Sequence, residues 1–172
     1  MNWIALFSHT GSEIANISRR LTHWPDGIIT NRPPGSKLDK NITRELMHTS
    51  SKPSVREYRD MLSGADLVTL HGWMRIIPKK ICEEFNIYNL HPGLITEYPE
   101  LKGKDPQFRV TDTINTYDKV GCVIHKVTSE VDCGEIIMTR SVNNRYYSDE
   151  AVVSALHEIA GDMWMDFLID RV

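Results

Sequence analysis

Two separated segments of this sequence combine side chains that could perform acid–base chemistry. Asn89 and His91 lie two positions apart in residues 87–91, an apolar run that reads as a strand ending at a Pro-Gly turn. Because strand side chains alternate between faces, we expect Asn89 and His91 to point the same way. Asp132 follows in a second segment, in a turn that contains a glycine. An amide, an imidazole and a carboxylate suit the stabilisation of an oxyanion and the movement of a proton during acyl transfer.

A simpler interpretation exists for each of these residues. His91 could pack at a strand end before Pro92, and Asp132 could accept hydrogen bonds from the backbone of its own turn. The carboxyl ends of strands in open α/β sheets are where ligands bind, which favours the catalytic interpretation. From the residue types alone both interpretations stay open.

Length and composition limit the class of protein. The chain has 172 residues, which suits one domain, residues 1–172, with a sizeable core. Its net charge of -3 argues against a nucleic-acid polymer or a membrane surface as partner. No apolar run reaches the ~18 residues that span a bilayer, and the first residues do not resemble a signal peptide. The three cysteines lack metal-ligand spacing, so we expect a soluble, cytoplasmic protein with free thiols and no metal.

Apolar periodicity and turn signals predict alternating strands and helices. Strands are predicted at residues 3–7, 27–30, 66–70 and 87–91, and a β-pair at residues 121–128 and 135–142. Helices are predicted at residues 13–21, after the capping box that begins at Ser54, from Pro78, at residues 107–117 and after Ser148. Residues 31–52 and 92–106 read as irregular connections. This alternation is typical of an α/β fold with a Rossmann-like, mostly parallel twisted sheet and helices on both faces.

Three segments give the chain a specific resemblance. Residues 67–77 read LVTLHGWMRII, residues 89–95 contain Asn-x-His-Pro, and residues 127–134 contain Val-Asp-x-Gly. In this order and spacing the segments closely resemble the folate-dependent formyltransferases, nearest to their glycinamide ribonucleotide transformylase branch, over essentially the whole chain. The resemblance implies the formyltransferase fold. It also implies transfer of a formyl group from N10-formyl-tetrahydrofolate to a primary amine of a small nucleotide- or sugar-type substrate, within one-carbon and nucleotide metabolism.

The resemblance implies a role for each of the three polar residues. Asn89 would donate a hydrogen bond to the formyl oxygen, and His91 would stabilise the oxyanion. Asp132 would orient or charge His91 and, through water, help to carry the proton from the amine to the folate nitrogen. Oxyanion donors are typically worth roughly 2.7–4 kcal/mol each.

The resemblance also implies a folate slot formed mainly by backbone groups and an apolar wall. A flat aromatic ligand needs such a slot with a few polar contacts. Core packing remains an alternative for Ile76 and Ile77, and a surface charge remains one for Arg75. The residues expected to bind the folate are Met74, Arg75, Ile76, Ile77, Ile81, Glu130 and Val131.

The amine substrate is expected to contact the first strand-to-helix turn and the strand with His91. The family usually shows Gly-x-Gly-Ser-Asn in that turn, whereas this chain has His9 in place of the first glycine and Glu13 in place of the asparagine. A carboxylate there disfavours a phosphate, so we expect poor use of glycinamide ribonucleotide unless Arg145 or the pair Lys102 and Lys104 supplies positive charge. The residues expected to bind this substrate are Gly11, Ser12, Glu13, Leu90 and Pro92.

Other classes within and beyond the family were weighed. A formyl-tetrahydrofolate deformylase uses the same three residue types but normally has a further N-terminal domain, and methionyl-tRNA and amino-sugar formyltransferases are usually longer. A non-catalytic nucleotide-binding module would show a full glycine-rich fingerprint, which is absent. We expect a monomer or homodimer. His71 and His125 are expected to be structural rather than catalytic.

Overall fold

Short apolar runs form most strands of a single sheet. The computed structural model describes residues 1–112 and 117–172. In chain order the strands are β1 (Trp3–Phe7), β2 (Gly27–Thr30), β3 (Met47–His48), β4 (Leu67–His71), β5 (Ile87–His91), β6 (Lys119–Lys126) and β7 (Ile136–Asn143). They are ordered β3-β2-β1-β4-β5-β6-β7 across the sheet, and the first five are parallel. Strand β6 is antiparallel to both of its neighbours, β5 and β7.

Helices connect most of these strands, and two of them begin at the caps predicted from the sequence. They are α1 (Ser12–Leu21), α2 (Val55–Met61), α3 (Lys79–Glu84), α4 (Pro106–Asp112) and α5 (Asp149–Leu168). Ser54 and Glu57 form the predicted capping box of α2. The hydroxyl of Ser148 accepts a hydrogen bond from the Ala151 N–H at the start of α5.

Several elements differ from their predicted bounds by one or two residues, and a few differences are larger or of another kind. Pro78 is the residue before α3 rather than its first residue, because its ψ of 141° is extended. The connection 31–52 contains β3, a two-residue strand too short for a periodicity signal. Helix α4 is described as far as Asp112, and residues 113–116 of the helix predicted at 107–117 lie outside the described residues.

The helices cover both faces of the sheet, as an α/β fold requires. On one face Trp3, Leu67 and Leu90 join a core with buried residues of α1 and α5. On the other face Ile4 and Val68 join a core with buried residues of α2 and α3. The prediction of a mostly parallel sheet flanked by helices is therefore confirmed.

The strand order reverses between β1 and β4, which are neighbours in the sheet. Such a switch point opens a crevice outside the carboxyl ends of the strands. Phe7 and His71, the last residues of the two strands, are paired in register. Just beyond them the Met74 N–H donates to Ser8 Oγ over 2.9 Å, and the Ser8 N–H donates to the Gly72 carbonyl over 3.3 Å. These bonds hold together the two loops that border the crevice.

No helix within the two described ranges is long and apolar enough to cross a membrane.

Candidate active site

Three polar side chains lie together where β5 and β6 pair. Asn89 and His91 share a face of β5, and the antiparallel register places His125 of β6 directly opposite Asn89. The amide nitrogen Nδ2 of Asn89 is 3.4 Å from Nε2 of His125. His91 and His125 are buried, with 4% and 3% of their surfaces exposed. The strand pairing therefore assembles an amide and two imidazoles in a largely water-excluded site.

Asp132 lies between the two imidazoles. Its Oδ2 atom is 3.2 Å from Nδ1 of His91, and its Oδ1 atom is 3.3 Å from Nε2 of His125. The Gly103 N–H also donates to Oδ2 over 2.8 Å. Asp132 has a φ of 52°, so its backbone adopts the left-handed conformation that Asp tolerates better than most residues. The turn between β6 and β7 thus directs this carboxylate to both histidines.

The surroundings of Asp132 determine its charge. Burial alone would raise the pKa of this carboxyl. Hydrogen bonds from His125 and His91, the positive charge of His91 and the N–H of Gly103 act in the opposite direction and hold the pKa of Asp132 far below its usual range. Asp132 is therefore a carboxylate at neutral pH and can stabilise a protonated imidazole beside it.

The second nitrogen of His91 is bound by a loop. Its Nε2 is 2.8 Å from the carbonyl oxygen of Leu101, which ends a 3₁₀ turn at Pro99–Leu101. The guanidinium of Arg109 donates to the same carbonyl over 2.8 Å and to the Lys102 carbonyl over 2.7 Å. Both neighbours of the His91 ring are acceptors, so the ring satisfies both of them when each nitrogen carries a hydrogen, which is the imidazolium form.

The segments expected to bind the folate present an apolar surface. Met74, Ile76 and Val131 expose 38%, 67% and 48% of their surfaces, and Glu130 is also exposed. Arg75 is exposed, and its guanidinium donates to the carbonyls of Ser51 and Met74. This combination of exposed apolar groups and nearby backbone groups fits a flat aromatic ligand.

Two side chains expected at the folate slot lie elsewhere. Ile77 and Ile81 are inside the core between the sheet and the α2 and α3 helices, with 1% and 0% of their surfaces exposed. An enclosed side chain offers no surface to a ligand, so a folate contact of Ile77 or Ile81 would have to come from backbone atoms. Core packing, the alternative considered for Ile77, is what the structure has.

The residues expected to bind the amine also divide into those near the surface and one whose side chain is buried. Gly11 precedes α1 with a φ of 75°, and Ser12 is exposed at the first position of the helix. Pro92 is half-buried next to His91. The Leu90 side chain points to the opposite face from Asn89 and packs into the α1 and α5 core, so a contact of Leu90 with the amine would have to come from its backbone.

Glu13 and the lysines of the 99–105 loop have partners that the sequence did not predict. A carboxylate oxygen of Glu13 lies 2.7 Å from Nδ1 of His71. Lys102 donates to the Cys133 sulfur over 3.5 Å, and Lys104 pairs with Asp105 at 3.6 Å. The two lysines are therefore engaged in contacts of their own loop and of the Asp132 turn.

His125 and His71 are the residues at these sites that sequence reasoning undervalued. His125 reaches Asp132 only because β6 runs antiparallel to β5 in one particular register. A strand histidine seven positions before Asp132 was the available signal, but strand pairing and register cannot be read from such spacing.

Within residues 1–112 and 117–172, no group of three or more His, Cys, Asp or Glu side chains could hold a metal ion.

Comparison with known proteins identifies the family. The sequence profile of the formyl transferase family matches residues 33–165, which is most of the chain and includes Asn89, His91, His125 and Asp132. The chain belongs to the formyl transferase family. Among curated members, phosphoribosylglycinamide formyltransferase of Dictyostelium discoideum is 36% identical over 109 residues, covering 59% of this chain and 50% of that protein. The human trifunctional purine biosynthetic protein adenosine-3 is 34% identical over 130 residues, covering 68% of this chain and 12% of that protein.

A solved member of the formyl transferase family shows the same fold. The crystal structure of phosphoribosylglycinamide formyltransferase from Campylobacter jejuni matches with a TM-score of 0.80 and 24% identity over 98% of this chain and 95% of that chain. At 24% identity this likeness shows a shared fold and nothing more specific. The chain spans half or less of the length of the two curated relatives above, so the activity of this family member is inferred from its site.

Proposed function

We propose that this family member transfers a formyl group from N10-formyl-tetrahydrofolate to a primary amine of a small nucleotide- or sugar-type molecule. The observation that supports this most directly is the Asp132 carboxylate within 3.3 Å of both imidazoles, beside the Asn89 amide. The cluster supplies an amide donor, a cationic donor and a buried base. Acyl transfer to an amine needs these three groups. On this proposal the two ligands are small molecules, and the protein works in the cytoplasm as a monomer or homodimer.

The reaction forms one carbon–nitrogen bond and breaks another. The amine attacks the formyl carbon, the carbonyl electrons move to oxygen, and collapse of the tetrahedral intermediate breaks the bond from the formyl carbon to folate N10. Asn89 Nδ2 donates to the formyl oxygen. His91 donates from Nε2 to the same oxygen, which replaces the Leu101 carbonyl as its acceptor. Preorganised donors of this kind stabilise the developing oxyanion without reorganisation during the reaction.

A proton moves from the amine to folate N10. Asp132 is ionised and accepts the amine proton through water, and it passes a proton through water to N10 as the C–N bond breaks. His125 holds the second oxygen of Asp132 and keeps the carboxylate aligned. The products are a formamide and tetrahydrofolate, so no proton or electron pair is left over.

The folate donor fits the exposed apolar surface between the β4–α3 loop and the Asp132 turn. Met74, Ile76 and Val131 would contact the flat pterin, while backbone groups of the 74–77 segment would bind its polar edge. Glu130 lies in the opposite loop and is exposed to a ligand there.

The experiment is a direct assay of transfer. The protein is incubated with N10-formyl-tetrahydrofolate and a panel of primary amines, and loss of formyl-folate is followed by absorbance while the formamide is detected by mass spectrometry. We expect a formylated amine in amounts equal to the tetrahydrofolate formed, and no product with His91→Ala. Formate released in equal amount without a formamide would show a hydrolase, and no consumption of the donor with any amine would overturn the proposal.

A further inference from the structure

Glu13 is held by a hydrogen bond that reaches from the crevice at the switch point into the core. It is the second residue of α1, and its Oε2 atom lies 2.7 Å from Nδ1 of His71, the last residue of β4. The His71 side chain is fully buried, whereas 35% of the Glu13 side chain is exposed. The buried His71 ring therefore anchors the carboxylate, whose exposed part borders the space between the β1–α1 and β4–α3 loops.

The hydrogen bonds below Glu13 form a continuous chain into the core. The Trp3 indole Nε1 can only donate, and it donates to Thr69 Oγ1 over 2.8 Å. Thr69 Oγ1 also lies 2.8 Å from Nε2 of His71. Because an ionised carboxylate only accepts, Nδ1 of His71 donates to Glu13. Each polar side chain of this hydrogen-bonded chain therefore has a partner, and the Glu13 carboxylate is held as an acceptor.

This hydrogen-bonded chain is also enclosed in the core. Trp3 and Thr69 have no exposed surface, and the Trp164 ring packs against the His71 ring with a centroid distance of 4.8 Å. Among residues 1–112 and 117–172, Glu13 has no ion pair other than that with His71. The lysines that might have neutralised it bind elsewhere, Lys102 to Cys133 and Lys104 to Asp105. A fixed, unneutralised carboxylate thus borders the crevice one sheet position from the strand that holds Asn89 and His91.

We propose that Glu13 is a specificity-determining residue and that His71 is its positioning residue. The inference depends on the proposed formyl transfer, because it concerns the amine that receives the formyl group. The Glu13 carboxylate accepts hydrogen bonds from hydroxyl or ammonium groups at the end of the acceptor remote from its reactive amine. It repels a phosphate there, since like charges brought together at a binding site are strongly unfavourable. The acceptor is therefore an uncharged or cationic amino-sugar or nucleoside amine, not a phosphorylated one.

The test uses two amines that differ only in a phosphate, ribosylglycinamide and phosphoribosylglycinamide. Binding of each is measured by calorimetry without folate, for the wild type, for Glu13→Gln and for the control Glu158→Gln. Glu158 is an exposed carboxylate on α5, so the control changes net charge equally. We expect the wild type and the control to bind ribosylglycinamide at least about tenfold more tightly, and Glu13→Gln to lose about tenfold or more of that preference.

A second pair of variants tests the role of His71. His71→Gln keeps an N–H that can donate to Glu13, whereas His71→Phe does not. We expect His71→Gln to keep most of the preference between the two amines and His71→Phe to lose it, with thermal melts used to confirm that both fold. In turnover with ribosylglycinamide the loss should appear in KM rather than in kcat, a separation that general destabilisation would not produce. The ¹⁵N chemical shifts of His71 should also report a hydrogen on Nδ1 in the wild type.

The binding measurements separate this inference from the proposed function. A preference that is present without formyl transfer to any amine would overturn only the proposed function. Equal or tighter binding of phosphoribosylglycinamide by the wild type would overturn the inference. So would an unchanged preference in Glu13→Gln, or no binding of either amine.

Discussion

The Oδ2 atom of Asp132 lies 3.2 Å from Nδ1 of His91. His91 is the last residue of β5, and Asp132 lies in the turn between β6 and β7. A carboxylate in this position holds the imidazole in one orientation and stabilises its protonated form.

The first prediction concerns Asn89, His91 and Asp132 as one unit. Replacement of each by alanine should lower kcat for formyl transfer by roughly 10²–10⁴, the range associated with a positioned acid–base group or oxyanion donor. The losses should be strongly non-additive, because residues that act on one transition state share its stabilisation. Steady-state kinetics of the single and double variants check this, with circular dichroism as the control for folding. Near wild-type turnover in any single variant would remove that residue from the mechanism.

The second prediction concerns the free energy of unfolding at acidic pH. The pKa of Asp132 is lower in the folded protein than in the unfolded chain, so its charged form stabilises the fold above the unfolded pKa of about 3.9. This contribution is lost as pH falls below that value toward the folded pKa. The free energy of unfolding of the wild type should therefore exceed that of Asp132→Asn by a constant amount above about pH 5 and by progressively less below about pH 4. Urea titrations at a series of pH values measure it, and a difference that grows on acidification would contradict the assignment.

The third prediction concerns His125. Removal of its ring in His125→Ala takes away a hydrogen bond that lowers the pKa of Asp132. The pKa of Asp132 should therefore rise, while the remaining bonds from His91 and Gly103 continue to lower it. A ¹³C NMR titration of the Asp132 carboxyl measures this. His157→Ala, which removes an exposed histidine of α5, is the matched control and should leave the Asp132 titration unchanged.

The fourth prediction concerns the proposed folate surface. Ile76→Trp places a bulky ring where Ile76 is now 67% exposed, and it should weaken the binding of a folate inhibitor by at least about tenfold while leaving the fold intact. Ile137→Trp enlarges an exposed isoleucine of β7 and serves as the control. Calorimetry gives both dissociation constants. If the two variants bind the inhibitor as the wild type does, the slot lies elsewhere.

The fifth prediction concerns the turn that presents Asp132. A Cβ atom added at Gly134 would overlap the Lys126 carbonyl oxygen, so the strands or the turn must shift to admit it. Gly134→Ala should destabilise the protein by roughly 2 kcal/mol or more and also lower turnover through Asp132. At Gly27 an added Cβ would make ordinary contacts of 3.6 Å or longer with Ile4, so Gly27→Ala should change stability by less than about 1 kcal/mol. Urea denaturation of both variants provides the comparison.

Local patterns in the sequence were sufficient for most of the elements. The strands Trp3–Phe7, Gly27–Thr30 and Ile87–His91 have the bounds that their apolar runs predict, and the caps at Ser54 and Ser148 lie where their side chains indicate. These features depend on neighbouring residues, so they can be read along the chain. The shared face of Asn89 and His91 follows in the same way from the alternation of one strand.

The sequence by itself thus determined the alternation of strands and helices, the class of fold and the pairing of Asn89 with His91 on one face. Only the tertiary structure decided that His125 and Asp132 meet, that Leu90, Ile77 and Ile81 are enclosed in the core, and that His71 holds Glu13. The physical reason is that these contacts depend on strand register and on how loops fold back over the sheet. Register and loop path are set by the packing of the whole chain, and a local pattern does not contain them.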